Sequence, residues 1–125
     1  MRSRTWMAIA SVLGAAACSD TTYGGGGGGG GCTPTATQVC AQTTAFAPTG
    51  LTINMGQTVT WRHASGVGHT VTSATGSTEV FNGAVDVGGT FSRQFNTVGT
   101  FPYYCTVHGF NGTPPTGMSG TITVQ

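Results

Sequence analysis

Short runs of alternating apolar and polar residues, separated by turns containing glycine or proline, restrict the fold of this chain most. In residues 58–61 the alternation puts Val59 and Trp61 on one face, as in a half-buried strand. Similar runs occur at 39–46, 51–54, 69–72, 90–95, 100–106 and 121–124, with a weaker run at 79–81. Since no long run has helical periodicity, we predict an all-β sandwich of about seven to eight strands.

One face of the predicted strand at 90–95 carries an unusual residue. Phe91, Arg93 and Phe95 have the same parity, so a charged side chain shares a face with two aromatic rings. Either the Arg93 side chain extends along the apolar surface to reach water, or a bulge changes the strand register.

Charged residues are scarce, which limits the classes of partner. The chain has no lysine, and beyond residue 32 Arg62 and Arg93 are balanced by Glu79 and Asp86. Nucleic acids and anionic membrane surfaces both require clustered basic residues, so neither is an expected partner.

The N-terminal segment is typical of an export signal. Arg2 and Arg4 precede an apolar stretch at 6–17 that is too short to span a bilayer, so residues 1–17 are predicted to be a signal peptide. The small residues that lead into Cys18 resemble a bacterial lipoprotein signal, which implies cleavage before Cys18 and acylation of its thiol. The alternative is a soluble secreted protein cut after Ala-x-Ala, in which Cys18 has no role.

Residues 18–31 then form a lipidated cysteine and a flexible tether, because the eight glycines at 24–31 have no side chains to pack. This organisation predicts an exported protein, periplasmic or on the cell surface, whose contact with a membrane is made through the lipid anchor alone. The remaining residues, 32–125, are predicted to form the folded domain.

Cys32 and Cys40 stand at the start of the domain. In an exported protein, two cysteines this close predict a disulfide. The alternative is a pair of metal ligands, but no histidine or acidic residue lies near them and the spacing is not that of a zinc finger.

A second cysteine-containing segment combines residues that bind soft metals. Strand parity points Phe101, Tyr103 and Cys105 into the core, with Cys105 last in the row. We expect His108, three residues on, to lie in the following turn and Met118 to open the returning strand. Together with His69, which begins a strand, these residues supply the thiolate, imidazole and thioether donors that select copper and suit both Cu(I) and Cu(II).

Four segments around these residues resemble cupredoxins, the blue copper proteins, of the plastocyanin type. They are GQTVTW at 56–61, GHTV at 68–71, GTFPYYCTVH at 99–108 and GMSGTITV at 117–124. The resemblance covers roughly residues 37–125 and implies a Greek-key β-sandwich or barrel that holds one type 1 copper.

The family's functional residues carry over by position. The resemblance implies that His69, Cys105, His108 and Met118 are the copper ligands and that electrons pass through His108 at the protein edge. It also implies a surface role for Tyr104, beside Cys105. Phe110, Pro114 and Pro115 are either ordinary loop anchors or, if they are exposed around His108, an apolar docking surface of the kind that a protein with little charge would need.

The chain departs from the plastocyanin pattern in three ways. Nine residues separate His108 from Met118, more than in plastocyanin. Thr70 occupies the position of an asparagine that braces the ligand loop, so we expect the hydroxyl groups of Thr70 and Thr106 to support the metal ligands instead. Tyr104 lacks the acidic patches that accompany its counterpart.

The resulting hypothesis is a monomeric type 1 copper protein that shuttles single electrons between redox protein partners and is not an enzyme. Three histidines cannot supply the additional metal centres of copper oxidases, nitrite reductases or superoxide dismutases. Two alternative functions remain open. One is a protein that binds and delivers copper, and the other is a β-sandwich adhesion module that binds no metal. Taken one at a time, these residues have simpler interpretations. Cys105 would be a buried core thiol, Met55 would compete with Met118 as a ligand, and His63 would be an exposed loop residue.

Overall fold

The computed structural model describes residues 31–125, which form nine strands in two sheets. The predicted signal peptide, Cys18 and the tether up to residue 30 lie outside the described residues. No membrane-spanning helix is found within residues 31–125. The strands are β1 (Gln38–Ala41), β2 (Phe46–Ala47), β3 (Gly50–Ile53), β4 (Thr58–His63), β5 (His69–Ser73), β6 (Asn82–Val85), β7 (Thr90–Gln94), β8 (Gly99–Phe110) and β9 (Thr116–Val124).

The two sheets are mixed. The first has the strand order β2-β1-β4-β7, in which β1 and β4 are parallel and the other neighbours are antiparallel. The second has the order β3-β9-β8-β5-β6, in which β3 and β9 are parallel. The architecture confirms the all-β sandwich predicted from the alternating runs.

Aromatic side chains fill the core between the sheets. Trp61 from β4 and Tyr103 from β8 pack edge to face, with ring centroids 5.3 Å apart, and both are fully buried. Burying rings of this size supplies much of the hydrophobic stabilisation of a small domain. The other large buried side chains include Phe46, Phe95, Phe101, Met118 and Ile122.

Two of the predicted strands differ from those observed. The run at 39–46 is split into β1 and β2 by a turn in which the Gln42 N–H donates to the Ala45 carbonyl. The strand predicted at 79–81 is wrong, because the strand of this region is β6, which begins at Asn82. Glu79 instead turns its carboxylate inward to meet Arg93.

The structure shows how the charged side chain of Arg93 shares a strand face with the rings of Phe91 and Phe95. β4 and β7 pair in regular register from Thr58 opposite Gln94 to Arg62 opposite Thr90, so no bulge intervenes. The Arg93 guanidinium lies 5.6 Å from the Phe81 ring centroid and forms an ion pair of 2.7 Å with Glu79. The side chain therefore extends along the aromatic surface to a buried carboxylate.

The predicted disulfide between Cys32 and Cys40 is present, with Cα atoms 5.9 Å apart. It links the start of the domain to β1, in the centre of the first sheet. Among the described residues, Cys105 is the unpaired cysteine, and it is buried.

Candidate metal centre

Strand β8 carries the thiol into the molecule. Phe101, Tyr103 and Cys105 alternate with more exposed residues and are all buried, as their parity predicts. His108 does not lie in a turn, as expected from the sequence, because β8 continues to Phe110. The strand remains extended there because it pairs with β9 again beyond the ligands.

An irregularity in the β8–β9 pairing places the ligands on one side. Tyr104 lies opposite Ser119, but the next paired residues are Gly109 and Gly117. The four residues from Cys105 to His108 therefore face the single residue Met118. Such an excess of residues on one strand bends it and redirects side chains, which lets Cys105 and His108 approach one point although they are three residues apart.

Glycine permits the close approach of β8 and β9 beside this irregularity. A Cβ atom on Gly109 would lie 2.7 Å from the carbonyl oxygen of Met118, and one on Gly117 would lie 2.8 Å from that of His108. Gly117 also has a φ of 71°, which L-residues with side chains rarely adopt. The pairing around the candidate ligands therefore depends on both glycines.

The third donor comes from the neighbouring strand. His69 is the first residue of β5, which pairs with β8, and its ring is buried. The Cys105 Sγ lies 3.8 Å from His69 Nδ1 and 3.6 Å from His108 Nδ1. Metal-binding atoms of the three side chains all lie within 4.8 Å of one another. The structure thus brings together three of the four predicted ligands.

Met118 and Met55, the two candidates for a thioether ligand, differ sharply in position. Met118 is 1% exposed and stands opposite the Cys105–His108 segment. Met55 is 59% exposed, and its N–H donates to the carbonyl of Gln125, beyond the far end of β9. Met55 is therefore at the opposite end of the sandwich from the thiol.

Thr70 and Thr106 connect the two ligand-bearing strands. The backbone N–H of Thr70 points at Cys105 Sγ over 3.4 Å. The Thr70 hydroxyl accepts a hydrogen bond of 2.8 Å from the Thr106 N–H and lies 3.0 Å from the Thr106 hydroxyl. These contacts join β5 to β8 at the residues adjacent to His69 and Cys105, the supporting position that we predicted for both threonines.

The chemistry of the three donors suits a soft transition metal. Burial lowers the pKa of His69 to about 4, helped by the nearby imidazoles of His108 and His63. The His69 ring is consequently neutral near pH 7, the form that binds a metal. One thiol and two imidazoles, with a buried thioether nearby, match the donor set of a copper site that cycles between Cu(I) and Cu(II).

His63 was predicted to be an exposed loop residue, and this prediction is wrong. Strand β4 extends to His63, so its side chain follows the buried parity of Val59 and Trp61. Its Nε2 lies 2.9 Å from the Val67 carbonyl oxygen, beside the buried hydroxyl of Ser65. Continuing the alternation by two residues would have predicted its burial, whereas no sequence pattern indicated Ser65.

The predicted electron-transfer residues lie on and beside β8. His108 and Tyr104 are half-buried, and Phe110 is 73% exposed. Val107, which the sequence analysis did not single out, is also largely exposed. In the loop between β8 and β9, Pro114 is exposed and Pro115 is buried. Exposed apolar residues therefore precede and follow His108 along β8.

Comparison with known proteins agrees with this geometry. The sequence model of one protein family, the copper-binding proteins of the plastocyanin/azurin family, matches residues 34–125. Plastocyanin of Scenedesmus fuscus is 35% identical over 91 residues, which cover 64% of this chain and 86% of that protein. A purple cupredoxin from Nitrosopumilus maritimus aligns with a TM-score of 0.57 and 26% identity, over 70% of this chain and 98% of its own. Amicyanin from Paracoccus versutus, at 22% identity, shares the fold with a TM-score of 0.57, over 70% of this chain and 79% of its own.

The chain belongs to the plastocyanin/azurin family of copper-binding proteins. The thiol and imidazole groups that converge at the end of the sandwich are those that this family requires for one copper. The protein is a cupredoxin of the plastocyanin type, and its function is blue-copper electron transfer. The disulfide between Cys32 and Cys40 suits an oxidising compartment.

Proposed function

We propose that His69 Nδ1, Cys105 Sγ and His108 Nδ1 hold the copper, with Met118 as a weak axial ligand. The observation that carries this assignment is the convergence of the three atoms, each imidazole Nδ1 lying within 3.8 Å of the same sulfur. The burial of Met118 opposite them supports the axial role despite the long β8–β9 loop.

The protein residues prepare the site for a one-electron couple, which is the chemistry that copper supplies when bound. His69 and Cys105 are buried, so water has little access to their donor atoms. Their positions are braced by the Thr70 contacts across β5 and β8. A site held in this way rearranges little on change of oxidation state. The protein carries electrons and catalyses no bond chemistry of its own.

Electrons enter and leave at His108, which is partly exposed and lies on β8 between the exposed residues Val107 and Phe110. Exposed apolar side chains around a partly exposed ligand favour close, dry contact with another redox protein. Tyr104 lies on the same strand and provides a second surface position near Cys105.

The proposed setting is a monomer held near a membrane. The sequence up to residue 31 supports cleavage before Cys18, lipidation of its thiol and a glycine-rich tether. A lipid anchor of several acyl chains would hold the domain at a membrane while the tether lets it turn towards redox partners.

Copper titration of the wild type and three variants tests the ligand assignment. The wild-type domain should show an intense thiolate-to-Cu(II) absorption band, and Cys105→Ser should lose it. Met118→Leu should change the EPR spectrum and the reduction potential, while Met55→Leu, which removes an exposed thioether, should change neither. A wild-type domain without the band, or identical spectra for the two methionine variants, would contradict the assignment.

A further inference from the structure

The segment between β4 and β5 supplies more than a connection to His69. Ser65 lies in the middle of this loop and is buried, as are His63 before it and His69 after it. The His69 ring presents Nδ1 to the Cys105 sulfur and, on its other side, places Nε2 2.9 Å from Ser65 Oγ. Ser65 therefore contacts the nitrogen of His69 that does not face the thiol.

The hydrogen-bond donors and acceptors of the loop fix the direction of this contact. The Val67 carbonyl accepts a hydrogen bond of 2.9 Å from the Ser65 hydroxyl. The same carbonyl is 2.9 Å from His63 Nε2 and, because a carbonyl oxygen is an acceptor, the His63 N–H donates to it. With its hydrogen directed to Val67, Ser65 Oγ acts as the acceptor for His69 Nε2–H.

The backbone holds this loop from both sides. The His63 N–H donates to the Gly89 carbonyl at 3.0 Å, and the Ala64 N–H donates to the Ala41 carbonyl at 2.9 Å. The Val67 N–H also lies 3.3 Å from Ser65 Oγ and donates to it. The position of Ser65 Oγ, the acceptor for His69, is thus fixed by contacts with β1, with the turn before β7 and within the loop itself. It does not depend on the β8 ligands.

We propose that Ser65 is a positioning residue that keeps His69 in its Nε2–H tautomer. The Val67 carbonyl, which accepts hydrogen bonds from both Ser65 and His63, holds the Ser65 hydroxyl in place. That tautomer leaves the Nδ1 lone pair directed at the thiol for the metal. Partners on the outer nitrogen of a ligating histidine fix its tautomer and orientation and raise its basicity. Ser65 thereby makes His69 a stronger donor to Cu(II) than an imidazole without a partner would be.

This inference rests on the proposed ligand role of His69, but its first test needs no copper. Long-range ¹H–¹⁵N correlation spectra of the metal-free protein report the tautomer of each histidine. We expect His69 to be protonated at Nε2 in the wild type and in Ser65→Thr, and to be a mixture of tautomers in Ser65→Ala. A wild-type His69 protonated at Nδ1, or an Nε2–H tautomer that persists in Ser65→Ala, would overturn the proposal.

The second test is the reduction potential of the copper-loaded variants. Loss of the Ser65 acceptor should weaken Cu(II) binding relative to Cu(I) by about tenfold, which raises the potential of a one-electron couple by about 59 mV. Ser65→Thr should restore the wild-type potential. Ser92→Ala, which removes an exposed serine hydroxyl from the outer face of β7, should leave it unchanged.

A pair of substitutions at His63 separates a positioning role from a simple effect on stability. His63→Gln retains a side-chain N–H that can reach the Val67 carbonyl, so it should keep the His69 tautomer, whereas His63→Leu should shift it. Urea unfolding of each variant records its loss of stability. The proposal would be overturned if the changes in His69 tautomer and in reduction potential simply scaled with the loss of stability in every variant, Ser92→Ala included. Because the spectra of metal-free protein do not depend on copper, failure of the ligand assignment and failure of the Ser65 role are distinguishable.

Discussion

The backbone N–H of Thr70 points at the sulfur of Cys105 across 3.4 Å, from a strand that is 35 residues away in sequence. This contact joins the strand that carries His69 to the strand that carries Cys105 and His108. A hydrogen bond to a thiolate stabilises its charged form, and the thiolate is the form that binds a metal. The β5–β8 pairing therefore serves both the fold and the site.

The Thr70 side chain gives the first prediction. Thr70→Val removes the hydroxyl that accepts the Thr106 N–H at 2.8 Å, while the shape of the residue is kept. The free energy of unfolding should fall by about 1 kcal/mol, the usual net value of one hydrogen bond. Urea unfolding of the metal-free domain measures this, and Thr70→Ser, which retains the hydroxyl, should lose much less. Equal losses in the two variants would show that the hydroxyl does not stabilise the strand pair.

The apolar residues near His108 give the second prediction. Val107 is 67% exposed beside His108, and Val98 is 62% exposed just before the other end of β8. Electron self-exchange between oxidised and reduced protein, measured by NMR line broadening, requires two copies to meet through their electron-transfer surfaces. Val107→Ser should slow self-exchange by about tenfold, equivalent to about 1.4 kcal/mol of lost contact energy. Val98→Ser should leave the rate unchanged.

The same measurement at different ionic strengths examines the role of charge. The described part of the chain carries two arginines and two acidic residues, and one pair of these, Arg93 and Glu79, is already joined in an ion pair. Self-exchange should therefore change little between low and high salt, because charge repulsion between the copies is small. A rate that responds equally to the two valine substitutions, or steeply to salt, would contradict an apolar surface around His108.

Much of the fold and the site could be predicted from local patterns. Alternation alone points Val59, Trp61, Tyr103 and Cys105 inward, since the side-chain period of a strand is two residues. All four are buried in the structure. The pairing of Cys32 with Cys40 was likewise predictable, because their short separation in an exported chain favours a disulfide.

What could not be predicted depends on contacts between distant segments. The four residues from Cys105 to His108 face Met118 alone because of the register change between β8 and β9, which no local pattern encodes. The burial of Glu79 could not be predicted from local sequence, because its partner, Arg93, is fourteen residues away. His63 was missed for a different reason, since β4 continues two residues beyond the predicted end of the strand.

The ion pair of Glu79 and Arg93 gives the third prediction. Glu79 is mostly buried and Arg93 only partly exposed, so breaking the pair should cost more than the loss of a surface salt bridge. Glu79→Gln should lower the free energy of unfolding at pH 7 by about 1–3 kcal/mol. Asp86→Asn, which neutralises an exposed carboxylate, should change it by less than about 0.5 kcal/mol.

The pH dependence of this difference follows from the pKa of Glu79. The hydrogen bond from Arg93 holds the pKa of Glu79 below its usual value of 4.5 in the folded protein. The stabilisation is therefore complete above the pKa of the unfolded chain and is lost as the pH falls below it. Chemical unfolding of wild type and Glu79→Gln from pH 7 to pH 3 should show the two stabilities converge. A difference that is independent of pH would mean that the ion pair is not its source.

The pKa of His69 gives the fourth prediction, on the metal-free protein. Burial, the imidazole of His108 and that of His63 lower the pKa of His69 from 6.5 to about 4. Between these two values the unfolded chain binds a proton at this position that the folded protein does not, so stability falls as the pH falls. The contribution is fully present above pH 6.5 and is lost towards pH 4, with a slope of at most about 1.4 kcal/mol per pH unit.

Chemical unfolding of the metal-free wild type and of His69→Gln across this range isolates the contribution, because glutamine does not titrate. The wild type should lose stability more steeply than the variant between pH 6.5 and pH 4, and the two curves should run parallel above pH 6.5. Most of the Glu79 titration falls below this range, since its pKa lies below 4.5 in the folded protein. Parallel curves throughout would show that the His69 ring is protonated as readily in the folded protein as in the unfolded chain, so burial would not lower its pKa.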